Sequence, residues 1–254
     1  MSSNFERRRI RAGHRRPAPH LIRFAHHAPN GFFPVVGAEL APGGIPIMRL
    51  AEGVGRTPFY VYSRDAIEAR LDALRATLPG ALHLHYAVKA NPMPAVVQHL
   101  AALTDGLDVA SAQEMMVALD TGVAPDRVSF AGPGKSATEI RRAIAAGINV
   151  TVESLLQLEQ AVEAGSALGV TPRVAVRVNP PFELKSSGMK MGGGPRPFGI
   201  DAARVPEVLD HVRKSGVHLS GLHIFGGSQN LRADAIVEAQ RKIYELGASL
   251  LCEW

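Results

Sequence analysis

The chain has 254 residues, 46% of them hydrophobic and 20% charged, with 25 Gly, 18 Pro and a single Cys. That is ordinary globular composition; it excludes a collagen-like or disulfide-stapled protein, and the unpaired Cys252 points to a reducing, cytoplasmic setting. The net charge of +5 is concentrated in one place: residues 1–27 hold seven Arg against Glu6, a balance of +6, so the rest of the chain carries −1.

The basic start (residues 1–31) reads as an arm, either a leader or an electrostatic contact for nucleic acid or acidic lipid. No aromatic residues are interleaved among its arginines for base stacking, which favours the leader. It has no apolar core of a secretory signal behind it, and no run of about 18 apolar residues follows anywhere, so no segment reads as a membrane span.

From residue 57 the sequence alternates. FYVY (59–62) reads as a strand, and Ser63 as the cap of a helix with the apolar stripe Ile67, Leu71, Leu74 and Leu78. Six strand–helix units follow. Their strands are expected at 82–88, 107–110, 128–131, 148–152, 173–178 and 217–224. Their helices are expected near 93–103, 112–121, 137–146, 155–168, 202–214 and 233–250. Ser154 with Gln157 suggests a capping box, and Ile236, Ile243, Leu246 and Leu250 suggest one face of the last helix. Such alternation means a parallel sheet with right-handed crossovers, either doubly wound or a (β/α)8 barrel. The irregular stretch 179–199 is long enough to be functional.

Three motifs fail on inspection. SFAGPGKS (129–136) has Ser129 where a phosphate loop needs Gly; the GGG at 192–194 does not extend to a dinucleotide fingerprint; and the His and Cys spacings give no zinc site.

The ionisable residues at strand ends carry more. Lys89 closes the apolar run HYAV, and by period two it shares a face with Ala87 and His85, while Tyr86 and Val88 face the helices. In a partly dry mouth such a lysine becomes a nucleophile; otherwise it simply reaches out to solvent. Asp108 stands above Gly106, Arg177 above Ala175 and His223 above Gly221, each an ionisable group over a small residue that leaves room for something flat. The HIFGGSQ segment (223–229) offers backbone N–H groups and Ser228 to a phosphate. A reactive lysine, a phosphate site and a flat pocket together suggest pyridoxal phosphate.

TPFYVY (57–62), YAVKAN (86–91), GLDVASAQE (106–114) and the His strand leading to GSQ resemble the ornithine/diaminopimelate/arginine decarboxylases, the fold type III pyridoxal enzymes. FPVVGAEL (33–40), GGIPIMRL (43–50), SFAGPGKS, GMKMGGGPRPFGID (188–201) and HIFGGSQNL resemble most the branch associated with the exosortase A system. The likeness spans about residues 32–250. It implies an alanine racemase-like (β/α)8 barrel, present here as six units (57–254), with residues 32–56 belonging to a second, β-rich domain. It also implies a homodimer acting on an amino acid. Lys89 would carry pyridoxal 5'-phosphate as a Schiff base and His223 would stack on its ring. Ser228 with Gly226 and Gly227 would hold the phosphate, and Arg177 would lie near the phenolic oxygen. Asp108 and Glu114 would be the acidic positions nearby. The family's later segments, including its catalytic Cys motif, have no counterpart here, and Cys252 does not take that role. The resemblance therefore implies a chain cut after its sixth unit, with two open edges and an apolar inner sheet surface. A racemase on the same barrel, or a non-catalytic cofactor-binding fragment, are the alternatives.

Overall fold

The computed structural model describes residues 33–183, 189–190, 193 and 196–252. The basic arm and much of the 179–199 stretch lie outside them. The chain divides into two compact units, through Ala66 and from Ile67 onward.

In the first unit, β1 (Val35–Val36) and β2 (Glu39–Leu40) pair antiparallel across a turn in which Gly37 has φ +66°. Helix α1 (Ile47–Val54) follows Pro46, takes the Glu39 carboxylate on its Met48 N–H at 3.3 Å, and stops at the left-handed Gly55. The strand expected at 59–62 does not form. The β-favouring side chains are there, but among the described residues no neighbouring strand supplies a ladder, and Tyr60 is 90% exposed. Helix α2 (Arg64–Arg75) starts as expected, with Ser63 Oγ accepting the Ala66 N–H at 3.3 Å.

The second unit is built from strand–helix repeats. They comprise β3 (His85–Ala87) with α3 (Pro94–Ala101), β4 (Gly106–Val109) with α4 (Ala112–Asp120), and β5 (Val128–Phe130) with α5 (Ala137–Ala145). Next come β6 (Asn149–Val152) with α6 (Leu155–Leu168), and β7 (Arg173–Asn179). Two short strands, β8 (Met189–Lys190) and β9 (Ile200–Asp201), precede α7 (Val205–Ser215). The last repeat is β10 (His218–Ile224), followed by the short β11 (Gly227–Ser228) and α8 (Ala233–Leu251).

The sheet order is β10-β7-β6-β5-β4-β3, all parallel, with β9 beside β7. This is chain order without reversal, which decides between the two candidate architectures: a doubly wound sheet reverses at a switch point, whereas a barrel does not. These are six units of a (β/α)8-type barrel.

Cross-strand register sorts the side chains into two faces. On one, Leu107, Val109, Phe130, Val150, Val174 and Val176 are fully buried beneath the helices. Helix residues such as Val97, Ile140, Leu158 and Val208 complete that core. Burial of each large side chain there contributes about 1.5–3 kcal/mol. The opposite face carries His85, Asp108, Ser129, Thr151, Arg177 and His223, interspersed with Ala87, Gly106, Ala175 and Gly221. The expected apolar inner surface is thus a polar one, because the apolar residues on each strand alternate to the helix side.

Two smaller expectations change. Ser154 Oγ does accept the Gln157 N–H at 3.2 Å, but Gln157 Oε1 takes the Glu153 N–H at 3.0 Å instead of closing a box. The full capping box is at Ser136–Glu139. On α8, Ala235 and Ala239 are buried, and Ile236 is exposed while Leu246 and Leu250 pack on the main core.

Candidate functional site

The polar face ends in loops at the C-terminal edges of the strands, where the sequence-predicted residues gather unequally. Arg177 on β7 and His223 on β10 are register partners. Ala87 on β3 and Asp108 on β4 are likewise partners, and Lys89 follows Ala87 by two residues, in a 3₁₀ turn spanning Val88–Ala90. Asp108 and His223 act on each other electrostatically although three strands separate theirs. In a flat sheet they would stand roughly 19 Å apart, four strand spacings. The sheet is therefore curled towards its polar face, bringing β4 and β10 to one mouth.

Asp108 Oδ1 accepts from Ser129 Oγ at 2.6 Å and lies 3.2 Å from His85 Nδ1. Burial pushes its carboxyl up, but the hydrogen bonds from His85 and Ser129, helped by the imidazoles of His85 and His223, outweigh that and hold it below the ordinary range. His223 is held below the ordinary imidazole value, first by burial and then by the Arg177 charge. Beneath these groups the floor is tightly filled at Gly106 and open at Gly221. A Cβ added at Gly106 would strike the Arg127 carbonyl and the His85 ring, and Gly221 has φ +142° with open space where its side chain would be.

Lys89 is exposed, not enclosed in a dry mouth as expected, because the turn carries it past the strand's end while Val88 takes the buried position. Glu114, half-buried like Asp108, belongs to the helix after β4. It sits in the first turn of α4, where its carboxylate accepts the Ala110 N–H at 2.9 Å and secures the loop after β4. Gly226 is buried, and an added Cβ would approach Ile243 Cδ1 at 3.4 Å. Gly227 and Ser228 pair antiparallel with Lys190 and Met189.

Several polar residues at this mouth were not singled out from the sequence. Arg177 Nη1 lies 3.1 Å from both carboxylate oxygens of Glu153, with the Phe198 ring 4.8 Å from the guanidinium carbon. Lys135, inside the failed phosphate-loop motif, is buried; its Nζ donates to the Gly132 and Thr151 carbonyls at 2.6 and 2.7 Å and lies 5.5 Å from the Phe130 centroid. Burial lowers its amine to about 8. The available signal was period two: Glu153 continues the Asn149–Thr151 face one step past β6. Among the described residues no cluster of three His, Cys, Asp or Glu is gathered as a metal site, and no helix is long and apolar enough to cross a membrane.

Comparison with known proteins gives this mouth its context. The chain is 35% identical over 196 residues to L-glutamyl-(BtrI acyl-carrier protein) decarboxylase of Niallia circulans, covering 76% of this chain and 46% of that protein. It is 34% identical over 224 residues to diaminopimelate decarboxylase of Aquifex aeolicus, covering 87% and 53%. The crystal structure of Helicobacter pylori diaminopimelate decarboxylase complexed with L-lysine superposes with a TM-score of 0.72 at 30% identity, covering 81% of this chain and 53% of that one. The chain spans about half the length of the curated relatives it matches. Residues 64–250 match the family described as pyridoxal-dependent decarboxylase, pyridoxal binding domain. With three-quarters of its length in that match and a curled parallel sheet gathering Asp108, Arg177 and His223 at one mouth, the chain belongs to the pyridoxal-dependent decarboxylase family and carries its pyridoxal-binding domain.

Proposed function

We propose that this chain serves the decarboxylation of an amino acid of the diaminopimelate, ornithine or arginine type, using pyridoxal phosphate held at Lys89. One feature of the chain supports the reading: Lys89 lies in the turn just after β3, two residues past Ala87, the register partner of Asp108, in the same sheet that pairs Arg177 with His223. The residues present fit the cofactor on two grounds. The floor is made of the small residues Ala87, Gly106, Ala175 and Gly221, and it leaves open space above Gly221, where a flat ring has room. The donor set of one amine, one imidazole, one guanidinium and one carboxylate suits a zwitterionic aromatic phosphate.

When bound, pyridoxal phosphate supplies an electron sink for the pair left on the substrate's α-carbon as carbon dioxide departs. The protein's residues do the rest. Lys89 Nζ would be the attachment point, and once released it would stand ready to hand a proton to the α-carbon that has lost carbon dioxide. His223, its proton disfavoured by burial, offers a neutral face for the ring. Arg177 offers positive charge near the phenolic oxygen. Gly226, Gly227 and Ser228 supply the phosphate contacts, and Asp108 and Glu114 the acidic positions on either side of the β4–α4 loop. The homodimer, the cytoplasmic setting, the exosortase-associated branch and the assignment of residues 32–56 to a β-rich domain belong to the same reading. The relatives named above are decarboxylases, so the racemase alternative gains nothing from them.

Borohydride reduction of the protein with pyridoxal phosphate, followed by peptide mapping, should place the label on Lys89 and lose it in Lys89→Ala. Label on the buried Lys135 or elsewhere overturns the assignment. Carbon dioxide release from free diamino acids, compared with release from a carrier-tethered glutamyl substrate, separates the two substrate forms that the relatives' names describe.

A further inference from the structure

One carboxylate joins four segments of the rim. Glu153 follows β6 by one residue, and its side chain is 1% exposed. Its Oε1 accepts the Gly132 N–H at 2.6 Å, from the loop after β5, and its Oε2 accepts the Gly199 N–H at 3.1 Å, from the segment leading into β9. Both oxygens take Arg177 Nη1 from β7 at 3.1 Å. Gln157, from the first turn of α6, accepts the Glu153 N–H and donates to the Gly132 and Pro133 carbonyls at 3.3 and 3.0 Å. Gly199 is left-handed (φ +74°), and a Cβ there would come within 3.1 Å of the Arg177 carbonyl oxygen and the Asn179 nitrogen. The loop can close on Glu153 only because that residue is glycine.

Stability alone does not call for this arrangement. Burying a carboxylate and a guanidinium sacrifices two hydration shells, and a well-packed apolar pair serves the fold as well or better. What the ion pair provides is a fixed direction for the Arg177 guanidinium, which is gripped from one side by the carboxylate and covered by the Phe198 ring.

We propose that Glu153 is a positioning residue. It holds the Arg177 guanidinium in the orientation that binds the cofactor and ties the Gly132 and Gly199 loops to that orientation, so cofactor affinity depends on Glu153 through Arg177. This rests on reading the mouth as a pyridoxal-phosphate site.

The test is a double-mutant cycle on the full chain, with Glu153→Gln, Arg177→Gln and the double variant. It is read by the affinity for pyridoxal phosphate and by the pH dependence of the bound cofactor's visible absorption. Glu153→Gln should weaken binding by about tenfold to a hundredfold, the scale of one lost charged hydrogen bond, and should move the spectral titration. Arg177→Gln should do the same, and the double variant should lose no more than the worse single. Should Glu153→Gln fail to fold, Glu153→Asp, which keeps the charge on a shorter stem, runs through the same cycle. Losses that simply add, or a Glu153 variant with unchanged affinity and spectrum, overturn this proposal alone. Wild-type protein that takes up no pyridoxal phosphate overturns both it and the reading on which it rests.

Discussion

At the level of single residues, the mouth grades from the buried Glu153, Arg177 and Lys135 to the half-exposed Asp108 and His223, and its charges are paired with one another. Asp108 is held ionised by donors on the two flanking strands, from His85 and Ser129. His223 has no such donor set; burial and the Arg177 charge both favour its neutral form. That has a stability consequence with a definite sign. The folded imidazole has a lowered affinity for protons, so the unfolded chain takes one up first as the pH drops. The stabilising difference is complete above about 6.5, the unfolded value, and is lost as the pH falls from there through the folded value. Urea unfolding of wild type and His223→Gln between pH 7.5 and pH 5.5 should show a smaller loss of stability in the variant. Parallel losses would mean that His223 is not titrating as the half-buried register partner of Arg177 described. Lys135 is the converse case. It too is shifted by burial, yet it keeps two carbonyl acceptors, and these make its ammonium part of the wall between β5 and β6.

At the level of elements, short local signals set the boundaries. Helix α5 begins at Ser136 because its hydroxyl accepts the Glu139 N–H while Glu139 returns a carboxylate to the Ser136 N–H and Oγ. Glu139 also takes the Ala112 N–H at 3.3 Å, so one side chain secures the starts of α5 and α4. The backbone N–H of Ser136 and then its hydroxyl hold the Glu139 carboxyl below its ordinary range. Ser136→Ala should lower unfolding stability by about 1 kcal/mol. Glu139→Ala should cost at least as much, since it releases two helix starts; denaturant titration reads both, and a neutral Glu139→Ala would show that the second link carries no energy. Caps of this kind are visible in sequence, and Ser154 marks the start of α6 in that way; the box at Ser136–Glu139 carries the same signal but was not among those read. The strand at 59–62 was misread for the opposite reason. FYVY has the right side chains, but a strand exists only with a partner, and partnership is not a local property.

At the level of the whole barrel unit, much of the site was legible because a parallel sheet buried beneath helices makes any ionisable residue on its other face conspicuous. Lys89, Asp108, Arg177 and His223 all stand out by period two against the valines beside them. Lys135 does not, and Glu153 does so only as the next step past the end of β6. A glutamate just after a strand and a lysine after Gly-Pro-Gly look like solvated loop residues, and they are buried because segments distant in sequence, the Gly132 loop among them, meet over them. The same convergence predicts how the unit opens. Strands β4 to β7 have neighbours on both sides, and β5, β6 and β7 are tied together at the rim by Glu153, Lys135 and Gln157. Strand β3 ends the described sheet, spans three residues and is only partly buried. Local opening should therefore begin at β3, because the free energy of exposing an amide follows the burial and cross-links lost on opening it. Hydrogen exchange read by mass spectrometry should find the β6 and β7 amides the slowest and those of β3 the fastest among the strands of the main sheet. In Glu153→Gln the gap should narrow by faster exchange at β6 and β7, with β3 unchanged. Uniform acceleration in all strands would show that Glu153 supports the fold as a whole and not the rim where its bonds are made.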